Sequence, residues 1–122
     1  DDKRIVIYPN VDIFEVKVAE SSAIGIRIKN LLTGANANDV DFSYEITLDS
    51  IDECGRSESQ LLEWIRPTSA NVGKIPTSRE YIEKVLIDVP EGSPLCTFKV
   101  RVAAEQDGTI YESASIWLKI VG

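Results

Sequence analysis

The stretch Val40-Asp41-Phe42-Ser43-Tyr44-Glu45-Ile46-Thr47-Leu48-Asp49 carries the clearest structural signal in the chain. Apolar and polar residues alternate strictly along it. A strand turns successive side chains to opposite faces, so this segment buries one face and wets the other. Working outward, the same period of two recurs in both directions. Upstream lie Ile5 to Tyr8, then Phe14, Val16 and Val18, then Ile24, Ile26 and Ile28. Downstream lie Leu62 to Ile65, then Val85, Ile87 and Val89, then Cys96 to Ala104, then Ile110 to Ile120. Turn residues separate these runs: Pro9-Asn10, Ser21-Ser22, the Thr33 to Asn38 stretch, and Pro90 to Pro94. Asp107-Gly108, set between two alternating runs, is a two-residue hairpin signal.

Seven or eight short strands at near-regular spacing read as an all-β, two-layer sandwich. No segment sustains a helical period; Ser57 to Ile65 has room for one or two helical turns. The stretch from Arg66 to Glu80 is rich in Pro, Ser, Thr and Gly and reads as a long, exposed, mobile loop. With 122 residues the chain has room for one domain, spanning 1–122. It opens on Asp1-Asp2 without an initiator Met or signal peptide, so a processed form is expected, with any anchor or neighbouring domain outside it.

Composition narrows the function classes. The formal charge of -7 disfavours phosphate backbones and anionic membrane surfaces, so neither nucleic acid nor direct membrane contact is expected. No apolar stretch approaches the roughly 20 residues of a membrane span. There is no histidine, which removes Ser-His-Asp and Cys-His nucleophile pairs and the commonest metal ligand. Asp49, Asp52 and Glu53, with Asp39 or Asp41, form the one acidic cluster able to imitate a calcium or glycosidase site, but EF-hand spacing is missing. No enzyme activity and no cofactor are expected.

Two further stretches carry a family resemblance. The strand Ile26-Arg27-Ile28-Lys29-Asn30 follows an early Ile7-Tyr8-Pro9. Cys96-Thr97-Phe98-Lys99-Val100-Arg101-Val102 is followed by Asp107-Gly108 and by Ser113-Ala114-Ser115-Ile116-Trp117-Leu118-Lys119-Ile120. This pattern resembles the immunoglobulin-like domains of archaeal and bacterial cell-surface proteins. The resemblance implies a Greek-key sandwich and a setting in surface layers, adhesion, or pilus- or archaellum-associated assemblies. Antigen-receptor domains are excluded, because the strand from Ile24 to Ile28 has no Cys and Pro94 stands where a tyrosine corner would be.

In such a sandwich, Val40–Leu48 pairs antiparallel with Cys96–Ala104. Cys54 and Cys96 then meet at one pole, and a disulfide between them is expected, with two unpaired buried thiols as the alternative. A bridge implies an oxidising, extracellular or cell-surface location. The same pairing sets Asp41, Glu45 and Asp49 against Lys99 and Arg101 on the outer face as a salt-bridge ladder. Trp64, between Leu62 and Ile65, is expected in the core.

The last strand supplies the candidate site. With Ala114, Ile116 and Leu118 inward, Tyr111, Trp117 and Lys119 point outward, and Trp117 leaves apolar area in water unless Arg101 covers it. The expected function is a non-catalytic interaction module, binding a protein partner or itself through a sheet face or edge. The alternative is a carbohydrate-binding module in which Trp117 and Tyr111 are the stacking platform.

Overall fold

A computed structural model describes residues 2–52 and 54–122. Nine strands and one short helix follow in order: β1 Ile5–Tyr8, β2 Ile13–Lys17, β3 Ser21–Lys29, β4 Asp41–Asp52, α1 Glu58–Leu62, β5 Ile65–Arg66, β6 Ser69–Lys74, β7 Glu80–Asp88, β8 Thr97–Gln106 and β9 Thr109–Val121. They form two sheets, one ordered β1-β3-β7-β5 and the other β2-β9-β8-β4-β6. The alternation read from the sequence fills the space between them. Ile24, Ile26 and Ile28 of β3, with Val85 and Ile87 of β7, face Phe42, Tyr44 and Ile46 of β4, Phe98, Val100 and Val102 of β8, and Ile116, Leu118 and Ile120 of β9. Each such side chain, fully buried, contributes roughly 1.5–3 kcal/mol relative to exposure. Trp64 joins this core as expected, tilted against Phe98 at 6.0 Å between ring centroids.

β4 and β8 pair antiparallel with Tyr44 opposite Ala104 and Ile46 opposite Val102, the pairing expected from sequence. β8 and β9 form the expected hairpin; Asp107 and Gly108 both have positive φ (47° and 83°), which a two-residue turn of the primed type requires. Asn30, at the end of β3, is fully buried and ties down the following loop. Its amide donates to the Ala37 and Ile75 carbonyls, and its Oδ1 accepts from the Leu32 N–H.

At both sides of the sandwich the chain changes sheets at a proline. β1 lies in one sheet and β2 in the other, with the cis Tyr8–Pro9 bond between them. The cis Arg66–Pro67 bond separates β5 from β6 in the same way. This corrects the reading of Arg66 to Glu80 as a loop. Ser69–Lys74 pairs with Asp41–Glu45 as an edge strand, and Ile75 is buried behind it. An edge strand has one bonded side only, so its Ser, Asn, Gly and Lys residues match the place although they imitate turn chemistry. Leu62 likewise ends a helix rather than lying in a strand; Ser57 and Gln60 form a capping box at its start.

The Cys54–Cys96 disulfide is formed, with Cα atoms 5.1 Å apart. The acidic ladder is sparser than expected. Asp49 reaches Lys99 at 3.9 Å, but Asp41 pairs with Lys74 of β6 at 3.2 Å, Glu45 stands opposite Ala103, and Arg101 opposite Thr47. A register shift between Leu48 and Ser50 causes part of this difference. Glu53 of the acidic cluster lies outside the described residues. Asp41 and Asp49 are about 26 Å apart along an extended strand, too far for one ion. Among the described residues, no three His, Cys, Asp or Glu side chains gather where they could hold a metal.

Candidate partner-contact site

The outer face of the five-stranded sheet is where sequence parity placed the site. From Ala114 onward the register of β9 is regular: Val102 opposite Ala114, Val100 opposite Ile116, Lys99 opposite Trp117, Thr97 opposite Lys119. Even-numbered residues therefore face the core, and Trp117 and Lys119 face out. On the other side, β2 runs parallel to β9 and sets Ile13 beside Trp117 and Glu15 beside Lys119. The Trp117 N–H donates to the Asp12 carbonyl at 2.9 Å, which fixes that junction.

The resulting rows are chemically distinct. Ile13, Trp117 and Lys99 make one; Glu15, Lys119 and Thr97 make the next. Ile13 is 52% exposed, Trp117 is half-buried and Lys119 is exposed. The Lys99 ammonium stands over the indole, 5.7 Å from the ring centroid. Arg101, the residue expected to cover the ring, stands instead opposite Ser115, one row away. A cation over a partly exposed indole is worth about 0.5–1 kcal/mol, enough to orient the ring. The site is thus an aromatic–aliphatic pair, Trp117 and Ile13, framed by Lys99, Lys119 and Glu15.

Tyr111 is not part of it. The outward placement expected for Tyr111 is corrected by its burial to 5% exposure between the sheets. Its hydroxyl donates to the Lys29 carbonyl at 2.8 Å and accepts from the Leu31 N–H at 2.8 Å. Its ring meets Phe42 edge-on at 5.2 Å between centroids, and the Arg4 guanidinium stacks on it at 4.6 Å. The physical reason is a bulge. Glu105 pairs with Ile110 but Ala104 with Glu112, so β9 carries one residue more than β8 at Tyr111. Alternation counted back from Ile116 fails there.

Ile13 is the neighbour of Trp117 that the sequence reading missed. Its signal was available only jointly: Phe14 and Val16 pointing inward make Ile13 outward by parity, but nothing in the sequence places β2 beside Trp117.

The sequence matches no family model and no curated protein. Solved structures do match in fold. The periplasmic chaperone SfaE superposes with a TM-score of 0.59 at 11% identity, over 95% of this chain and 55% of that one. A family 123 glycoside hydrolase from Clostridium perfringens superposes with a TM-score of 0.52 at 10% identity, over 93% of this chain and 23% of that one. The chain thus spans about half of the chaperone and about a quarter of the hydrolase. At these identities the likeness is one of fold: an all-β, immunoglobulin-like sandwich, with nine strands where the sequence predicts seven or eight.

Proposed function

We propose that this chain is a non-catalytic interaction module that works outside the cytoplasm, in a cell-surface or pilus-associated assembly. It contacts a protein partner, or a second copy, through the outer face of the five-stranded sheet at Trp117, Ile13 and Lys119. The observation that carries this reading is the half-buried indole beside the exposed Ile13, bordered on the same face by Lys99, Lys119 and Glu15. Aromatic anchors with a polar rim are the usual anatomy of protein contact surfaces. The disulfide supports an oxidising compartment, and the likeness to a periplasmic chaperone agrees with a protein-binding rather than catalytic use of the fold. The carbohydrate-binding alternative loses one of its two rings, because Tyr111 is inside the sandwich.

Trp117→Ala tests the reading. Truncating such an anchor removes about 2 kcal/mol or more of binding free energy, which is roughly a thirtyfold loss of affinity in pull-down or sedimentation. The melting temperature should change little, since only the Lys99 contact and a partly wet ring are lost. A variant that unfolds several degrees lower while association persists would make Trp117 a structural residue.

A further inference from the structure

We propose that the open edge of β7 between Glu80 and Lys84 is a second binding site, which receives an extended segment of a partner protein bearing a basic side chain and adds it as a strand. This site is independent of the Trp117 face.

The geometry begins with β5. Arg66 pairs with Leu86 and Ile65 with Ile87, and the Asp88 N–H donates to the Trp64 carbonyl at 2.8 Å. The even-numbered residues of β7 therefore direct their N–H and C=O groups toward β5, and the odd-numbered ones toward β3. Continued by two residues, β5 would bring Thr68 opposite Lys84. The chain instead leaves at cis-Pro67, and the Thr68 carbonyl accepts from the Ile46 N–H in the other sheet. The lane beside Ile82 and Lys84 is vacated, and their backbone groups on that side meet no strand.

Other edges of the sandwich are protected in ways this one is not. β1 and β2 are short and separated by Pro9, and β6 is flanked by Pro67 and Pro76 and bent by its own bulge at Val72, opposite the Phe42–Ser43 step of β4. The uncovered half of β9 is partly capped: Arg4 donates to the Tyr111 carbonyl and the Glu112 carboxylate accepts from the Ser113 N–H. β7 has neither proline nor bulge, and Ile82 on its outer face is 64% exposed.

The inner side of the vacated lane states the chemistry of the occupant. Glu83, opposite Ile26, points between the sheets, where Tyr81 donates to its carboxylate at 2.8 Å; no cation pairs with it among the described residues. Beside it lies the Tyr44 hydroxyl, on a side chain 2% exposed and without a hydrogen-bond partner. Burial, and then the Glu83 carboxylate, hold that hydroxyl well above the ordinary tyrosine range. Half-buried Ala70 and Val72 of β6 border the same side. An added strand would bury Glu83 further, which is costly unless it brings a cation. A second copy paired antiparallel about Glu83 would set its own Glu83 against this one, two like charges on one face; a basic strand does not.

The test uses a short synthetic peptide in which threonine and valine alternate, with one central lysine on the valine face, and a twin with glutamate in its place. Backbone amide exchange and amide NMR shifts are followed on the whole chain. The lysine peptide should slow exchange at Ile82 and Lys84, and the glutamate twin should bind at least about tenfold more weakly. Glu83→Gln should erase that difference. Ile82→Pro should abolish binding, since it removes an N–H that β3 does not use; unchanged protection at Ile24 and Ile26 checks that the variant is folded. Equal affinity of the two peptides, protection confined to β9, or no binding of either would overturn the proposal. So would a dimer in sedimentation that Ile82→Pro dissolves, because the edge would then be a self-interface.

Discussion

Replacing Cys54 and Cys96 together with alanine is expected to lower the unfolding free energy by about 4 kcal/mol. The bridge joins residues 42 apart in sequence, from the pole beyond β4 to the start of β8. Without it, the unfolded chain regains the entropy that closing a loop of that length had removed, which in the chain-entropy model is worth about this much. Both positions are nearly fully buried, so the alanines also leave small voids and add to the loss. The urea midpoint should fall and the slope should rise somewhat, because the unfolded chain without the crosslink exposes more surface. Intact mass after alkylation without reductant should show no modified thiol in the parent protein. Two alkylated cysteines, or a double variant less than about 1 kcal/mol weaker, would contradict the bridge's role.

Tyr111→Ala is expected to cost a comparable amount, about 3–5 kcal/mol, as large aromatic truncations in a core do. The ring fills the end of the sandwich between Phe42 and Arg4, and its hydroxyl satisfies two backbone groups of the segment after β3. Tyr111→Phe separates the two contributions. It keeps the ring and strands the Leu31 N–H and the Lys29 carbonyl, at about 1–3 kcal/mol. Neither variant, while folded, should weaken association. The opposite pattern, weaker association with unchanged stability, would return Tyr111 to the proposed contact surface, from which its burial removes it.

The Tyr111 error shows what in the sequence was legible and what was not. Inward residues are even-numbered on β8 (Phe98, Val100, Val102) and on β9 (Ile116, Leu118, Ile120). A two-residue turn at Asp107-Gly108 pairs Gln106 with Thr109 and Glu105 with Ile110. Continued without interruption, that register would set inward Val100 against outward Ser115, a contradiction in parity. One extra residue in β9 removes it, so the need for a bulge was written in the sequence although its position was not. Trp117 lies on the regular side of the bulge, which is why counting from Ile116 placed it correctly. β6 was illegible for another reason. Ser69 to Lys74 buries no large side chain and only partly buries Ala70, Val72 and Gly73, so its apolar signal is weak; its strand character comes from β4. The Cys54–Cys96 bridge was readable because it depended only on β4 pairing with β8, the two strongest patterns in the chain. Ile13 beside Trp117 depended on β2 joining β9 in parallel after a sheet switch, which no local pattern encodes.

The central claim is that the Trp117 face is where this module meets its partner. Hydroxyl-radical footprinting of the complex recovered by pull-down, read residue by residue by mass spectrometry, measures this directly. In the free chain Trp117 and Ile13 should be oxidised readily, and Trp64 and Tyr111 should react little, as their burial dictates. In the complex, oxidation of Trp117 and Ile13 should fall together, while exposed Leu95, next to Cys96, and exposed Ile110, at the far end of the same face, keep their free rates. Unchanged oxidation of Trp117 in a complex that protects Leu95 or Ile110 would contradict the claim.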